Sequence, residues 1–187
     1  MIRLAEEKDI HAIAKLTYII WKDMELEIVE RYPVEQVIAA IEQSTTDVHS
    51  RNHLSHIYVY EIDGEVAGMI VAYSGANEQV YESAWTALPI AKTLPLSTGT
   101  PLPLMEADKE DLYIESVATF PEYRGRGVAH QLMNTLITSK SGATWSLNCD
   151  YKNEGALHLY KKLGFKVKKE KILYGHRYHY MTYTCEA

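Results

Sequence analysis

The chain has 187 residues, 47% of them hydrophobic and 24% charged, with a formal net charge of −6 and two cysteines. That length suits one domain with a substantial buried core, and the acidic balance argues against a nucleic-acid partner held through phosphate contacts. No apolar run approaches the roughly 20 residues that span a bilayer, and Cys149 and Cys185 form neither a disulfide framework nor a metal-ligand spacing.

Met1–Asp9 lacks a signal-peptide core, so the expected compartment is cytoplasmic. Ile2–Leu4 reads as a short strand, and Asp9 as the N-cap of a helix running to about Trp21 with Ile10, Ile13, Ala14 and Leu16 on its apolar face. The connection Trp21–Tyr32 carries Asp23, Glu25, Glu27 and Glu30, and a second helix follows from about Pro33 to Gln43. His56–Ile62 and Glu65–Tyr73 form a hairpin around Asp63-Gly64. Residues 74–108 break the pattern with Pro89, Pro95, Pro101 and Pro103; a short helix fits Tyr81–Ala91. A segment this long reads either as a functional cover or oligomer contact, or as a variable surface excursion. A strand over 111–119, a helix over 127–139, a strand over 143–148, a helix within 153–163 and a strand pair near 165–173 and 177–184 complete one domain over 1–187. Strands interleaved with helices, together with two hairpins, predict a mixed α/β sheet.

Two motifs carry chemistry. In the first, the strand ending at Thr119 feeds Phe-Pro-Glu-Tyr and then Arg124-Gly-Arg-Gly-Val-Ala129 before a helix. The turn's N–H groups and the unpaired first N–H groups of the helix converge on one spot, where the helix dipole adds positive potential. Gly125 and Gly127 allow a tight turn and close approach by a bulky ligand, so a pyrophosphate fits. A dinucleotide, a nucleoside triphosphate and coenzyme A all present one, and a plain strand–helix connection is also open. No Gly-Lys-Ser/Thr follows the glycines, and the third glycine of the dinucleotide fingerprint is missing. The second motif is Asn153-Glu-Gly-Ala156-Leu-His-Leu-Tyr160-Lys-Lys-Leu163-Gly164-Phe165, helical in spacing, with Gly164 ending the helix.

In these two stretches the chain resembles the GCN5-related N-acetyltransferase (GNAT) family. Arg124-x-x-Gly127-x-Ala129 matches the family's Arg/Gln-x-x-Gly-x-Gly/Ala turn. Asn153, Ala156, Tyr160, Gly164 and Phe165 match its Asn-x-x-Ala-x-x-x-Tyr-x-x-x-Gly-Phe stretch. The resemblance covers roughly 111–165 and implies a mostly antiparallel central sheet flanked by helices, with a splayed central strand pair. It implies an acetyltransferase using acetyl-coenzyme A as cosubstrate, acting on an amine of a small molecule or peptide, and it allows a homodimer. A non-catalytic acyl-coenzyme A sensor is the alternative.

By the same resemblance Arg124, Gly125, Arg126, Gly127, Val128 and Ala129 hold the pyrophosphate. Val117 and Thr119 offer strand-edge partners to the pantetheine arm, and Asn153 either binds that arm or caps its helix. Tyr160 is the expected acid for the departing thiolate. A carboxylate on strand 111–119 is the expected base: alternation puts Asp111, Tyr113, Glu115 and Val117 on one face, with Glu115 the first candidate and Asp111 the second. A base or a desolvating pocket is needed because freeing an ammonium lone pair at pH 7 costs about 4.6 kcal/mol. Acidic groups beside Trp21 and Tyr32 suit a cationic amine, or form a solvated helix face. The loose cluster of His49, His53 and His56, with His176 and His179, lacks metal-ligand spacing, so no metal is expected.

Overall fold

A computed structural model describes residues 1–186. The strands are β1 (Ile2–Leu4), β2 (Ile57–Ile62), β3 (Glu65–Ser74), β4 (Leu112–Thr119), β5 (Thr144–Asp150), β6 (Lys166–Leu173) and β7 (His176–Thr184). The helices are α1 (Ile10–Asp23), α2 (Glu27–Arg31), α3 (Val34–Ser44), α4 (Glu78–Ser83), α5 (Val128–Ile137) and α6 (Glu154–Lys162). All seven strands join one sheet in the order β1-β2-β3-β4-β5-β7-β6, antiparallel except for the central β4–β5 pair. The mostly antiparallel α/β sheet with a diverging centre is therefore present.

Local chemistry sets the turns. Asp63 and Gly64 take φ of 51° and 82°, and Tyr174 and Gly175 take 53° and 79°, so each hairpin turns on two left-handed residues whose twist matches the strands. Gly164 ends α6 at φ 104°, with Phe165 N–H bonded back to the Tyr160 carbonyl at 3.0 Å.

Three apolar clusters place the helices. α5 and α6 cover one face of the sheet, packing Leu132, Met133 and Ile137 against Ile70, Ile114, Trp145 and Met181. On the other face α1 lays Ile13 and Leu16 on Val59, Met69 and Val71. The third cluster orders 74–108, where the helix expected at Tyr81–Ala91 lies earlier, over Glu78–Ser83, and gives way to 3-10 turns over Ala84–Ala87 and Pro89–Thr93. This segment contains α4 and short 3-10 turns, and it packs Trp85, Leu88, Leu94 and Leu102 against Trp21, Ile28 and Ile41. Burying four large apolar side chains, at roughly 1.5–3 kcal/mol each, offsets the ordering of a chain with little regular ladder of its own.

Candidate active site

β4 and β5 share only the rungs Leu112–Trp145 and Tyr113–Ser146. Past Tyr113 the two strands part, while β4 stays paired with β3 up to Thr119. One edge of β4 is thereby left open over a cavity of about 660 Å³ lined by residues 113–119, Asn148, Cys149 and Tyr160. The β3–β4 register skips Glu115, since Val71 pairs with Ser116 and Ala72 with Ile114. Such a bulge breaks strict alternation. The expectation that Val117 shares a face with Glu115 is therefore corrected: Val117 packs with Leu112 and Ile114 on the α5 side.

At the end of β4 the chain enters the glycine turn. Gly125 and Gly127 adopt φ of 80° and 76°, and a Cβ built on Gly125 would meet nothing within 4 Å. Backbone conformation, not crowding by protein, demands these glycines, and the space above them is free. Among the described residues, the N–H groups of Gly125 through His130 have no protein acceptor. The first return bond of α5 runs from Gln131 N–H to the Gly127 carbonyl at 3.0 Å. A smaller hollow of about 230 Å³ lies over this turn and shares Thr119 and Arg124 with the large cavity. Arg124 Nε donates to the Thr119 carbonyl at 3.3 Å. Arg126 instead lies over the Tyr123 ring at 5.4 Å, so its side chain is directed to an aromatic neighbour. Val128 is buried in the core and Ala129 lines the hollow; both offer the turn their backbone. Gly68 lets α5 sit this close, because a Cβ there would lie 2.7 Å from the Ala118 carbonyl and 2.9 Å from Val128.

Tyr160 projects from α6 into the large cavity, and its hydroxyl meets no protein partner among the described residues. Burial, with the neighbouring Cys149 thiol adding, pushes the phenol above its ordinary range, so the proton stays on oxygen. Cys149 is itself buried, and desolvation followed by Asp150 raises its thiol to about 11. Asn153 lines the same cavity, but its Oδ1 accepts from Ala156 N–H at 3.1 Å and so caps α6.

Glu115 reaches the cavity as one member of a buried ionic cluster. Arg51, 2% exposed, donates to Glu115 at 2.5 Å and to Glu82 at 2.8 Å, and lies 3.6–3.7 Å from Glu78 and Glu106. Tyr73 also donates to Glu115, at 3.0 Å. Desolvation raises the Glu115 carboxyl above its ordinary range against the pull of Arg51. Asp111, the second candidate, is buried elsewhere and accepts from the Tyr180 hydroxyl at 2.5 Å. Glu106, Glu82, Glu78, Arg51 and Asn148 were not foreseen. The first three come from 74–108 and its approach to β4, where no spacing marks a carboxylate as inward.

The acidic connection after α1 divides. Asp23 and Met24 line the cavity mouth with Trp21, whose ring is largely buried edge-on to Trp85 at 6.0 Å. Glu27 is occupied by the N–H and hydroxyl of Ser97, and Tyr32 by the Pro95 carbonyl, so these two anchor the covering segment. Glu25 meets His176 at 3.2 Å. His49 stacks on both Tyr81 and His53, His56 lies tilted against Tyr81, and burial, with the neighbouring imidazoles adding, takes His56 down to about 4. Among the described residues no group of three or more His, Cys, Asp or Glu is arranged to hold a metal ion, and no helix is long and apolar enough to cross a membrane.

Residues 13–165 match the model of the Acetyltransferase (GNAT) family. The chain is similar to the crystal structure of an N-acetyltransferase from Staphylococcus aureus Mu50, with 48% identity and a TM-score of 0.93 over 98% of this chain and 100% of that one. A second crystal structure, of an acetyltransferase, shares 31% identity at a TM-score of 0.84 over all of both chains. At 16% identity and a TM-score of 0.58, the fold is also that of yncA, a putative acetyltransferase from Salmonella typhimurium solved with its cofactor acetyl-CoA, over 100% of this chain and 94% of that one. No curated protein matches.

Proposed function

Because the chain belongs to the acetyltransferase (GNAT) family, whose cosubstrate is acetyl-coenzyme A, we propose that it transfers the acetyl group directly to a primary amine of a small molecule or peptide. One observation carries the reading: the hollow over the unpaired N–H groups of Gly125 through His130 adjoins, at Thr119 and Arg124, the cavity that Tyr160 lines.

The site fits the cosubstrate on its own terms. The unpaired amides at the start of α5, with Arg124 beside them, suit a pyrophosphate. The open edge of β4 at Val117 and Thr119 suits an extended arm carrying amides, which pairs as an added strand. Asn153 keeps its NH2 group for the same arm while its oxygen caps α6. When bound, acetyl-coenzyme A supplies the activated acyl group as a thioester. Tyr160, held protonated by burial, donates to the leaving sulfur. Glu115, the first candidate base, lines the cavity with its Oε1 shared between Arg51 and Tyr73. The covering segment and Trp21 restrict water, which strengthens each of these interactions.

Isothermal titration against acetyl-coenzyme A, ATP and NAD, followed by thiol-release assays over a panel of primary amines, tests the reading. Binding of acetyl-coenzyme A alone, with release of thiol for at least one amine, is expected. Tight binding with no turnover of any amine would favour the sensor, and preference for ATP or NAD would remove the assignment.

A further inference from the structure

The ionic cluster behind Glu115 does not balance. Among the described residues, one guanidinium, Arg51, faces four carboxylates, the buried Glu78, Glu82 and Glu106 and the partly buried Glu115, with Lys171 bonded to the Glu106 carbonyl and paired with Asp108. Three of them are well supplied with donors. Glu78 accepts from the N–H groups of Glu106 and Ala107, Glu82 from Arg51 and the Leu102 N–H, and Glu115 from Arg51 and Tyr73. Among the described residues, Glu106 has only the Tyr113 hydroxyl on Oε1, at 2.8 Å, while its Oε2 is buried 3.7 Å from Arg51 Nη1 with no hydrogen-bond partner. Asn148 repeats the pattern: its NH2 donates to the Tyr113 hydroxyl and the Glu106 carbonyl, while its Oδ1 is buried with no partner among the described residues. Both residues line the large cavity, and Tyr113 ties them together.

A buried acceptor without a donor is expensive, and two on one wall of a cavity mark a place prepared for a donor from outside. The surplus of negative charge says that the donor is a cation. We propose that Glu106 Oε2 and Asn148 Oδ1 seat the ammonium group of the acceptor and that Glu106 takes its first proton. The proposal rests on the acetyltransferase reading and gives that site its amine pole.

The proton count closes. The step starts from ionised Glu106, the form that prevails above about 8 and at lower pH once a docked cation favours the charged carboxylate: the ammonium N–H bond breaks toward it, leaving a neutral nitrogen whose lone pair forms the C–N bond as the C–S bond breaks. Tyr160 supplies one proton to sulfur, the second proton lost by nitrogen replaces it, and the proton on Glu106 is the one released overall. Glu115 is less suited to this step, because Arg51 pairs with it directly at 2.5 Å and Tyr73 donates to it, whereas Arg51 lies 3.7 Å from Glu106. The groups facing Glu106 are Arg51, Glu78, Glu82, Glu115, Tyr73, Tyr113, Tyr174 and Tyr178, with Lys171 on its backbone carbonyl. Desolvation above all, then Glu115 and Glu78, lifts its carboxyl to about 8 in spite of Arg51 and Tyr113. A cation docked beside it must lower that value, since it favours the charged form.

Carboxyl carbon-13 NMR of glutamate-labelled protein, with coenzyme A bound and ethylammonium chloride as probe, tests this. Glu106→Gln assigns the resonance, and Glu106→Asp assigns it if that variant does not fold. The expected result is a midpoint well above the ordinary carboxylate range that falls by about one unit on adding ethylammonium, with roughly tenfold weaker response in Asn148→Ala. A midpoint in the ordinary range, no movement with ethylammonium, or movement of Glu115 instead would overturn the proposal. Coenzyme A binding is read in the same sample: its failure would count against the acetyltransferase reading, while the carboxylate titration judges Glu106 alone.

Discussion

Tyr160 carries a proton that burial discourages from leaving and that no protein acceptor competes for. Replacing it with Phe removes the donor while keeping the ring against Phe165, 6.2 Å away between centroids. Tyr160→Phe is expected to lower turnover by about 10²-fold or more, the usual contribution of a positioned acid, with acetyl-coenzyme A affinity changed less than about threefold. Parallel thiol-release kinetics and calorimetry check this, and equal losses in both would remove the acid role. Tyr160 was legible because its motif is local: Asn153, Tyr160 and Gly164 sit on one helix and its end, so spacing alone fixes their relation. Glu115 was legible as an inward carboxylate on a strand. Glu106 was not, because what makes it distinctive is a missing partner, and no sequence displays the donors a folded carboxylate lacks.

Among the elements, the sheet and most helices follow from alternation, helical periodicity and turn residues such as Asp63-Gly64. The bulge at Glu115 had no local signal, since an extra residue on one strand is defined only against its partner β3. The segment 74–108 was legible as an exception, with a cover among its readings, but its internal order was not, because that order comes from distant groups: Trp21, Ser97 with Glu27, and Arg51 with Glu82. Arg51 joins this cover to β4 through Glu115. Arg51→Met should therefore destabilise the protein by about 3–5 kcal/mol, the cost of leaving buried carboxylates uncompensated, and more at pH 8 than at pH 5, where protons replace the cation. Denaturant unfolding at the two pH values measures it; a loss below about 1 kcal/mol at both would show that the cluster does not hold the cover.

For the molecule as a whole, two carboxyls at the ends of Glu106–Asp108 set opposite limbs of stability against pH. Asp108, despite the desolvation that opposes it, is brought down to about 2 by Lys169, Lys168 and Lys171 on β6. A carboxyl with a depressed folded value contributes stability that is full above its unfolded value of 3.8 and is lost as pH falls toward 2. Glu106 acts in reverse. Its folded value is raised from 4.5 to about 8, so across that window the native state holds a proton that the unfolded chain has released, and stability falls as pH rises. Melting temperature should thus peak in mildly acidic solution, and Glu106→Gln should flatten the alkaline limb while leaving the acid limb in place. Differential scanning calorimetry from about pH 2 to 9 checks both, and an unchanged alkaline limb in the variant would contradict the assignment.

The sparse seam between β4 and β5 has a mechanical meaning. Two rungs leave much of the angle between the halves of the sheet to side chains: Leu132, Met133 and Ile137 share one apolar cluster with Ile114 and Trp145, and Asn148 reaches across the gap to Tyr113. The width of the opening then depends in part on side-chain volume in α5. Substitutions far from any reacting atom would resize the mouth as a shim changes the gape of a hinge.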